Sequence, residues 1–345
     1  MRGRSSWQRP SGSFASSTAD RVTVRPSRPD TRGLDGILVV AKPSGPTSHD
    51  VVALVRRLAA TRRVGHGGTL DPFAEGVLPI FLGQATRLVE YHLGDRKGYR
   101  ATVCFGASSA TDDLEGDLTP DERLAPDREI VEAALEGFRG EIRQRPPAYS
   151  AVKVAGRRAY ALARAGATVE LAERTVTIHR MALRSWDGAD PSRPIAIIDV
   201  ECSAGTYIRA LARDLGAAVA NAAYLGALTR TMSGPFRLDD AVALDGVRAA
   251  AAEGPDALRR LLLPVDAGLD AMPQIALTHA EAEDVARGRF IRPAAGVPGG
   301  ADGGPFRLVD TEGRLVAIGA RDGLRLAPTK VLISANASST PGSDA

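Results

Sequence analysis

The order of strand-like and helix-like patterns constrains the fold of this chain more than any other feature of its sequence. Residues 99–105 alternate apolar and polar side chains, which is typical of a strand with one buried face. "TVTIHRMALRSW" and "IAIIDVECS" predict two further strands, whereas "GTYIRALARDLG" and residues 127–138 predict helices. Because these patterns mix without a regular strand–helix–strand alternation, the sequence predicts an α+β domain.

Order is predicted to begin in the segment "GILVVAKPSGPTSHDVVALVRRLAA". Residues 37–40 are expected to form a buried strand, and the two prolines of "KPSGP" mark a turn. Thr47, with Asp50 three residues later, resembles a capping box that opens a helix. "VLPIFLG" is a buried segment whose length fits either a strand or a short helix. We expect "RPPAYSAVKVAGRRAYALARAG" to form a turn, a strand and a helix in that order.

Composition divides the chain into four parts. Residues 1–32 are rich in Ser, Arg and Pro without an apolar period and predict a disordered tail, as do the polar residues 335–345. Residues 33–266 carry the mixed pattern of the α+β domain. The pattern changes around Pro264–Pro273, and residues 270–334 predict a small β-rich domain with one short helix and strands split by glycines.

The positive net charge of the chain, +3, comes from its first tail. Seven arginines against two aspartates give residues 1–32 a net charge of +5, so the remaining 37 basic and 39 acidic residues leave about −2. A nucleic-acid site must therefore depend on where the arginines of the body lie. Arg56, Arg57, Arg62 and Arg63 precede the glycine-rich segment described below, and we call them the basic edge.

Cysteine use and hydropathy exclude several classes of protein. Cys104 and Cys202 lie outside any CxxC spacing, which argues against a disulfide scaffold or a zinc site. No apolar run approaches the ~18 residues of a membrane-spanning helix, and the N-terminus lacks the apolar centre of a secretory signal. We therefore expect a soluble, cytoplasmic protein with no membrane partner.

The segment "GHGGTLDPFAEGVL" places Asp71 in a glycine-rich bend between two apolar runs. An Asp before Pro is common in turns, where its carboxylate accepts hydrogen bonds from the backbone. Gly65, Gly67, Gly68 and Gly76 allow close approach of a ligand or another backbone here, and the apolar flanks should hold the bend rigid. The alternative to an ordinary turn is therefore a rigid, partly desolvated carboxylate with a chemical role.

A carboxylate in such a bend can act as a general base, a glycosidase nucleophile or a site of aspartyl-phosphate formation. The third chemistry usually has a second Asp two positions on, where this chain has Phe73, so we exclude it. A glycosidase needs two carboxylates roughly 5–9.5 Å apart, and Glu75 is the close candidate for the second one. The sequence alone leaves that alternative open.

Arg209 lies in the first turn of the helix predicted in "GTYIRALARDLG", where the helix dipole disfavours a cation. A strong anionic partner is therefore expected. In one interpretation the partner is Asp71, through a buried pair that keeps the carboxylate ionised and aimed. In the other, Arg209 belongs to a surface pair with Asp214 or contacts a phosphate.

Five ordered stretches resemble the bacterial TruB-type tRNA pseudouridine synthases. They are "KPSGPTSHDVV", "GHGGTLDPFAEGVLPIFLGQATRL", "KGYRATVCFGASSATDDLEGD", "RPPAYSAVKVAGRRAYALARAG" and "CSAGTYIRALARDLG". The resemblance runs from about Gly36 to Leu238, and the C-terminal segment resembles the small PUA-like RNA-binding domain attached there. It implies the pseudouridine synthase fold, with a central mixed and largely antiparallel sheet.

The resemblance also implies an activity, the isomerisation of uridine to pseudouridine at position 55 in the T arm of tRNA. The C1′–N1 bond is broken, the uracil rotates and it is rejoined through C5, in a base flipped out of its stack. Asp71 matches the essential attacking residue of the family. The resemblance implies no cofactor and no metal, tRNA as the partner, and a monomer that needs no protein partner.

Further residue roles follow from the same resemblance. Tyr99 would pack against the target uracil and assist a late proton transfer, while Arg209 would pair with Asp71. Tyr207 would shape the pocket floor. The substrate-binding residues predicted beside them are His66, Tyr207, Lys42 and Gly68, together with Arg62 and Arg63. The two arginines are predicted from their position in the basic edge, which would bind phosphates of the T stem, and the alternative is a solvated helix face. Three of the other side chains have ordinary alternatives. Tyr99 can be a core-facing strand aromatic, and His66 can be a structural residue of the glycine-rich turn. Lys42 can support the pocket instead of contacting a phosphate, or it can be a solvated turn residue.

Two positions depart from the family pattern. Gly67 stands where Thr or Ala is common, which predicts a more flexible loop, and Glu75 stands where Thr is common, which adds a negative charge near the RNA path. The main competing hypothesis is a non-catalytic RNA-binding protein on the same scaffold. The presence of Asp71, Tyr99 and Arg209 argues against that as the sole role.

Overall fold

The computed structural model describes residues 34–149, 171–293, 296 and 304–332, together with the backbone of two short strands at 153–154 and 157–158. The predicted tails and most of the segment expected to form a turn, strand and helix before residue 171 lie outside the described residues. Among those described, no helix is long and apolar enough to cross a membrane.

The strands are β1 Gly36–Lys42, β2 Val64–His66, β3 Glu75–Leu82, β4 Lys97–Phe105, β5 Ala107–Ser109, β6 Leu118–Pro120, β7 Gly140–Gln144, β8 Lys153–Val154, β9 Arg157–Arg158, β10 Arg174–Asp187, β11 Ile195–Cys202, β12 Ala223–Ser233, β13 Phe236–Arg237, β14 Val242–Ala243, β15 Gln274–Ala276, β16 Phe306–Val309, β17 Leu315–Asp322 and β18 Arg325–Val331. The α-helices are α1 Ser48–Leu58, α2 Val89–Leu93, α3 Arg128–Glu136, α4 Ile208–Ala218, α5 Leu244–Glu253, α6 Pro255–Arg260 and α7 His279–Ala286, with 3₁₀ turns at Gly83–Leu88 and Leu238–Asp240.

A ten-stranded sheet forms the body of the protein, in the order β14-β1-β3-β12-β4-β11-β10-β7, with β2 beside β3 and β13 beside β12. Two of its pairings, β1 with β14 and β3 with β12, are parallel, and the others are antiparallel. The prediction of an α+β fold with a mixed, largely antiparallel sheet is confirmed. The parallel junction of β3 with β12 brings the two halves of the sheet together.

The ambiguous segment "VLPIFLG" is a strand that is buried along nearly its whole length. One side of β3 packs Leu78, Ile80 and Leu82 into a cluster with α1, while its other side packs Val77 and Phe81 into a second cluster. Because both faces are covered, the segment shows no apolar–polar alternation. The burial of both faces explains why the hydrophobic pattern of this segment did not distinguish a strand from a short helix.

Capping residues in the sequence predict the starts of two helices correctly. The Thr47 side chain accepts from the backbone of Asp50 while the Asp50 carboxylate accepts from the backbone of Thr47, so the predicted capping box is present. Asp127 caps α3 in the predicted helix. The helices α3 and α4 contribute to the apolar cluster on one face of the sheet, against β4, β10, β11 and β12.

The C-terminal part forms a separate four-stranded sheet, in the order β15-β16-β17-β18, with α7 packed on it. The predicted β-rich segment with one short helix is therefore confirmed as an architecture. A further apolar cluster joins this sheet to the main body, where Leu88 and Leu269 meet Leu315 and Ile318.

Candidate active site

A cavity of about 440 Å³ opens where the bend that carries Asp71 meets β4, β12 and the start of α4. Its wall is formed by Gly68, Thr69, Leu70, Asp71, Leu93, Lys97, Tyr99, Tyr149, Ala204, Gly205, Thr206, Tyr207, Ile208, Arg209, Leu228 and Arg230. The predicted Asp71, Tyr99, Arg209, Tyr207 and Gly68 all line this one cavity, although they are spread over more than a hundred residues of sequence.

Asp71 and Arg209 form the ion pair that one interpretation of the sequence predicted. The Arg209 Nε atom lies 3.1 Å from Asp71 Oδ2. The Arg209 side chain is 8% exposed and that of Asp71 is 39% exposed, so the arginine is buried behind a carboxylate that opens to the cavity. The predicted surface pair of Arg209 with Asp214 is wrong, because Asp214 pairs with Arg213 instead.

Asp113 is a member of this site that sequence reasoning missed. Arg209 Nη1 donates to Asp113 Oδ2 at 3.1 Å and to the Thr111 carbonyl at 3.1 Å, and Nη2 donates to the Tyr149 carbonyl at 3.0 Å. Asp113 is buried and its other oxygen accepts from the backbone of Glu115. In sequence it belongs to the acidic run "TDDLEGD", which is typical of a polar turn, and nothing local marks it as buried.

The electrostatics of Asp71 reflect its partial burial. Burial raises the pKa of the Asp71 carboxyl above its usual range, the Arg209 guanidinium opposes this, and the Asp113 carboxylate adds to it. Arg209 therefore lies between two carboxylates, one fixed in the protein interior and one presented to the cavity. This arrangement holds the Asp71 carboxylate in place from behind and leaves its front accessible to the cavity.

Lys42 and Ser48 anchor the bend from below. Lys42 is 1% exposed, and its ammonium donates to the carbonyls of Pro43 at 2.9 Å, Pro72 at 3.1 Å and Ala74 at 2.6 Å. Ser48 Oγ donates to the Leu70 carbonyl and accepts from the Leu70 backbone. The expectation of a rigid bend is confirmed.

The solvated alternative for Lys42 is wrong, because its side chain is 1% exposed. Its three donors point to backbone carbonyls, it lies below the bend, and it is not part of the cavity wall. Burial lowers the pKa of the Lys42 ammonium to about 8. Support of the pocket, the other role considered for it, is the one that its position favours.

Tyr99 and Arg230 are cross-strand neighbours on β4 and β12. Arg230 is 1% exposed and donates to the carbonyls of Val77, Thr69 and Gly68 at 2.7, 3.3 and 3.1 Å, so it ties the bend to the sheet. Burial raises the pKa of the Tyr99 hydroxyl, with the Arg230 guanidinium opposing the shift. Tyr99 therefore presents a neutral phenol to the cavity at physiological pH.

Gln144 determines the position of Tyr207. Its side-chain amide accepts from the Tyr207 backbone at 2.8 Å and donates to the Tyr207 carbonyl at 3.0 Å, which substitutes for a side-chain cap at the start of α4. The Arg174 guanidinium lies 4.5 Å from the centre of the Tyr207 ring. Gly68 lines the cavity with a φ of +129°, which a residue with a side chain adopts only with strain.

The remaining predicted residues lie outside the cavity wall. His66 packs edge-on against His49 at 5.4 Å, and its Nδ1 accepts from the Gly68 backbone. Burial lowers the pKa of the His66 imidazole, so it is neutral at physiological pH. Arg62 and Arg63 are exposed in the loop between α1 and β2, as are Arg56 and Arg57 on α1.

The two departures from the family pattern have structural explanations. A Cβ at Gly67 would lie 2.9 Å from Cε2 of Phe81, so the glycine makes room for that ring. Gly67 is buried and its N–H bonds the Pro79 carbonyl, and the expected loop flexibility is replaced by close packing. Glu75 is exposed and accepts from the Thr229 hydroxyl at 3.0 Å, outside the cavity.

Among the described residues that line the cavity, Asp71 is the one acid, so Glu75 supplies no second carboxylate there for the glycosidase alternative. The buried carboxylate of Asp113 pairs with Arg209. Within the described part of the chain, no group of three or more His, Cys, Asp or Glu side chains is placed to hold a metal ion.

Comparison with known proteins adds to this geometry. Residues 56–208 match the TruB family pseudouridylate synthase N-terminal domain, and residues 209–270 match the tRNA pseudouridylate synthase B C-terminal domain. The chain belongs to the TruB family of pseudouridylate synthases. The resemblance that its five motifs suggested is thereby confirmed, and the protein is a pseudouridine synthase.

Relatives cover most of this TruB-family chain. It is 41% identical over 318 residues to tRNA pseudouridine synthase B of Bradyrhizobium diazoefficiens, covering 91% of this chain and 90% of that one. It is 40% identical over 305 residues to the protein of the same name from Pseudomonas aeruginosa, covering 88% of this chain and 97% of that one. Among solved structures, a Cbf5–Nop10–Gar1 complex matches with a TM-score of 0.69 and 26% identity, over 88% of this chain and 86% of that one.

Proposed function

We propose that this TruB-family enzyme converts uridine to pseudouridine at position 55 in the T arm of tRNA. The observation that carries the proposal is Asp71, which is ion-paired from behind by Arg209 and open at its front to a cavity of about 440 Å³. The relatives named tRNA pseudouridine synthase B, aligned over nearly the whole body of the chain, support tRNA as the substrate class.

The reaction needs the target base outside its stack, because its glycosidic carbon is inaccessible in a stacked loop. In the proposed sequence the flipped nucleotide enters the cavity and Asp71 attacks it. The C1′–N1 bond breaks, the uracil rotates, and a bond forms between C1′ and C5. Product and substrate are isomers, so no cofactor is required by the balance of atoms.

The residues around Asp71 have distinct proposed roles in this reaction. Tyr99 packs against the uracil, and its neutral hydroxyl takes part in the late proton transfer from C5. Tyr207, fixed at the start of α4 by Gln144, forms the floor of the cavity. Gly68 lets the nucleotide approach the backbone of the bend, and His66, two residues earlier and outside the cavity wall, contacts the loop at the entrance.

The basic edge is proposed to bind phosphates of the T stem. Arg56, Arg57, Arg62 and Arg63 are exposed, and they immediately precede the strand that leads into the bend. Lysine and arginine contacts to phosphate release counterions, so binding should weaken as salt rises. Replacement of all four by Ala should flatten the salt dependence of RNA binding, and an unchanged slope would exclude this surface.

The activity can be tested with the purified protein and a T-arm stem-loop whose uridine carries tritium at C5. Tritium is released only when C5 loses its hydrogen, so release reports the isomerisation. Native protein should release tritium and Asp71→Asn should not, with unchanged RNA binding and melting temperature. Release by both would remove Asp71 from the mechanism. Tight binding without release by either would favour the non-catalytic RNA-binding hypothesis.

The same experiment addresses the expected independence from protein partners. The chain is tested alone, whereas the solved relative named above was obtained as a complex with Nop10 and Gar1. Release by the isolated chain would support a self-sufficient enzyme. A gel-filtration run of the same sample gives its oligomeric state.

A further inference from the structure

Lys97 is a buried cation in the cavity wall to which the mechanism above assigns no role. It is the first residue of β4 and is 6% exposed. Because side chains alternate along a strand, Lys97 and Tyr99 project from the same face, and both line the cavity. A Cβ added to Gly68 would lie 4.0 Å from Lys97 Cε and 3.6 Å from Arg230 Nη1, so these two cations and the bend meet at one point of the wall.

Burying an ammonium group is unfavourable unless hydrogen bonds or an anion compensate it. Within the described residues, the Lys97 ammonium donates one hydrogen bond, to the His92 carbonyl at 3.3 Å. The charged groups that act on it are Asp95, which favours its charged form, and Arg230, which disfavours it. Burial is the largest of these influences and lowers the pKa of the Lys97 ammonium to about 8.

Lys42 provides a matched comparison within the same protein. Both lysines are buried and both have a pKa lowered by burial to about 8. Lys42 points three donors at backbone carbonyls and stands below the bend, which is a structural arrangement. Lys97 has one long hydrogen bond and faces the cavity, which is the arrangement expected of a group that completes its hydrogen bonding with a ligand.

We propose that Lys97 donates a hydrogen bond to a ring carbonyl oxygen of the flipped uracil and stabilises the negative charge that the ring acquires during the reaction. This inference rests on the proposed function. When the C1′–N1 bond breaks, its electron pair stays on the uracil and is delocalised onto the ring oxygens. The bond from C5 to C1′ then forms with a pair from the ring, C5 loses its proton, and N1 gains one.

An ammonium fixed beside such an oxygen favours the charged intermediate over the neutral substrate, and therefore acts mainly on the rate of the chemical step. Arg230 cannot take this place, because it donates to three carbonyls of the bend and of β3. Arg209 is also unsuited, because its donors face Asp71, Asp113 and two backbone carbonyls. Lys97 is the cation of the wall whose nitrogen is least committed to the protein.

The test compares Lys97→Met, which keeps the length of the side chain without its charge, with Arg100→Met as a matched control. Arg100 lies three residues after Lys97, on the opposite face of the same strand, and pairs with Asp199 outside this cavity. Tritium release is followed in single turnover with enzyme in excess over the T-arm stem-loop. Lys97→Met should slow release by about 100-fold. Its RNA dissociation constant should stay within about threefold of the native value, and Arg100→Met should match native protein in both.

A pH profile separates a chemical role from a structural one. The single-turnover rate of native enzyme should fall as pH rises through about 8, where Lys97 loses its proton. Lys97→Met should lack that fall, and Lys97→Arg, which stays charged, should recover part of the rate and also lack it. Any decline caused by ionisation of the uridine itself is common to all three proteins.

Native rates in Lys97→Met would overturn the inference while leaving the proposed function intact. A joint loss of rate, RNA binding and melting temperature would also overturn it, because that pattern indicates a structural lysine. Absence of tritium release from native protein is a different result, since it would refute the proposed function on which the inference rests.

Discussion

Arg209 and Arg213 lie one turn apart on α4 and face two adjacent aspartates, yet only Arg209 lines the cavity. Arg209 pairs with Asp113 at 3.1 Å, and Arg213 pairs with Asp112 at 2.7 Å. The side chain of Arg209 is 8% exposed and that of Arg213 is 33% exposed. Arg209 also reaches Asp71, whereas Arg213 ends on Asp214 and on the Arg145 carbonyl.

The difference in exposure between the two Arg–Asp pairs determines what the loss of one partner costs in stability. A buried charge pair contributes little net stability when complete, but removal of one partner leaves an uncompensated charge and costs about 3–5 kcal/mol. A pair near the surface is screened and contributes about 0–1 kcal/mol. We call Arg209–Asp113 the inner pair and Arg213–Asp112 the outer pair. The inner pair should therefore control both the stability of the site and the protonation of Asp71, and the outer pair should control neither.

The largest effect is expected from Arg209→Gln compared with Arg213→Gln. The first should lower turnover by about 100-fold or more, because Asp71 loses the group that aims it, and the second should stay within about threefold of native. Arg209 lowers the pKa of Asp71, so its removal should move the acid limb of the pH–rate profile to higher pH. Single-turnover tritium release over pH 4–8 measures both. Equal losses in the two variants would end the distinction between inner and outer pairs.

Asp113→Asn compared with Asp112→Asn tests the same distinction from the carboxylate side. Asn at 113 would turn an amide or an uncharged oxygen toward Arg209, and we expect a loss of unfolding free energy of about 3 kcal/mol. The same change at 112 should cost about 1 kcal/mol or less, and the positive φ of +61° at Asp112 suits Asn as well as Asp. Urea denaturation gives both values.

The acid limb of the pH–rate profile provides a second test of Asp113, with a shift opposite to that expected for Arg209→Gln. The Asp113 carboxylate raises the pKa of Asp71, so Asp113→Asn should move the acid limb to lower pH, whereas Arg209→Gln moves it to higher pH. Asp112→Asn should leave the limb in place. Shifts in the same direction for the Arg209 and Asp113 variants would contradict the proposed arrangement of one cation between two carboxylates.

The smallest effect concerns the bend that carries Asp71 to the inner pair. Gly67→Ala would place a Cβ against the Phe81 ring and should cost about 1–3 kcal/mol of unfolding free energy. Gly65→Ala meets nothing within 4 Å and should change stability by less than about 0.5 kcal/mol. Gly67→Ala should cost less in a Phe81→Leu background than in the native one, because the shorter side chain leaves room for the Cβ. An equal cost in both backgrounds would show that ring packing is not the cause.

Sequence reasoning succeeded where the signal is local or carried by a motif. The alternation in residues 99–105 placed Tyr99 on a strand, the Thr47–Asp50 spacing placed a helix start, and the glycines of the bend pointed to Asp71. The dipole argument at Arg209 required an anionic partner and led to Asp71 as one of two alternatives. The period of "VLPIFLG" was uninformative, because both of its faces are buried.

The sequence by itself determined the class of fold, several strands and helices of the body, the bend that carries Asp71 and the membership in a family of pseudouridine synthases. Only the tertiary structure decided that Asp113 joins Arg209, that Lys42 supports the bend from below, and that Lys97 faces the cavity. The physical reason is that these roles depend on burial and on partners far away in sequence, such as Asp113 and Arg209, which are separated by 96 positions. A charged residue looks the same in the sequence whether it is solvated or buried, and only the packing of the folded chain decides which groups it contacts.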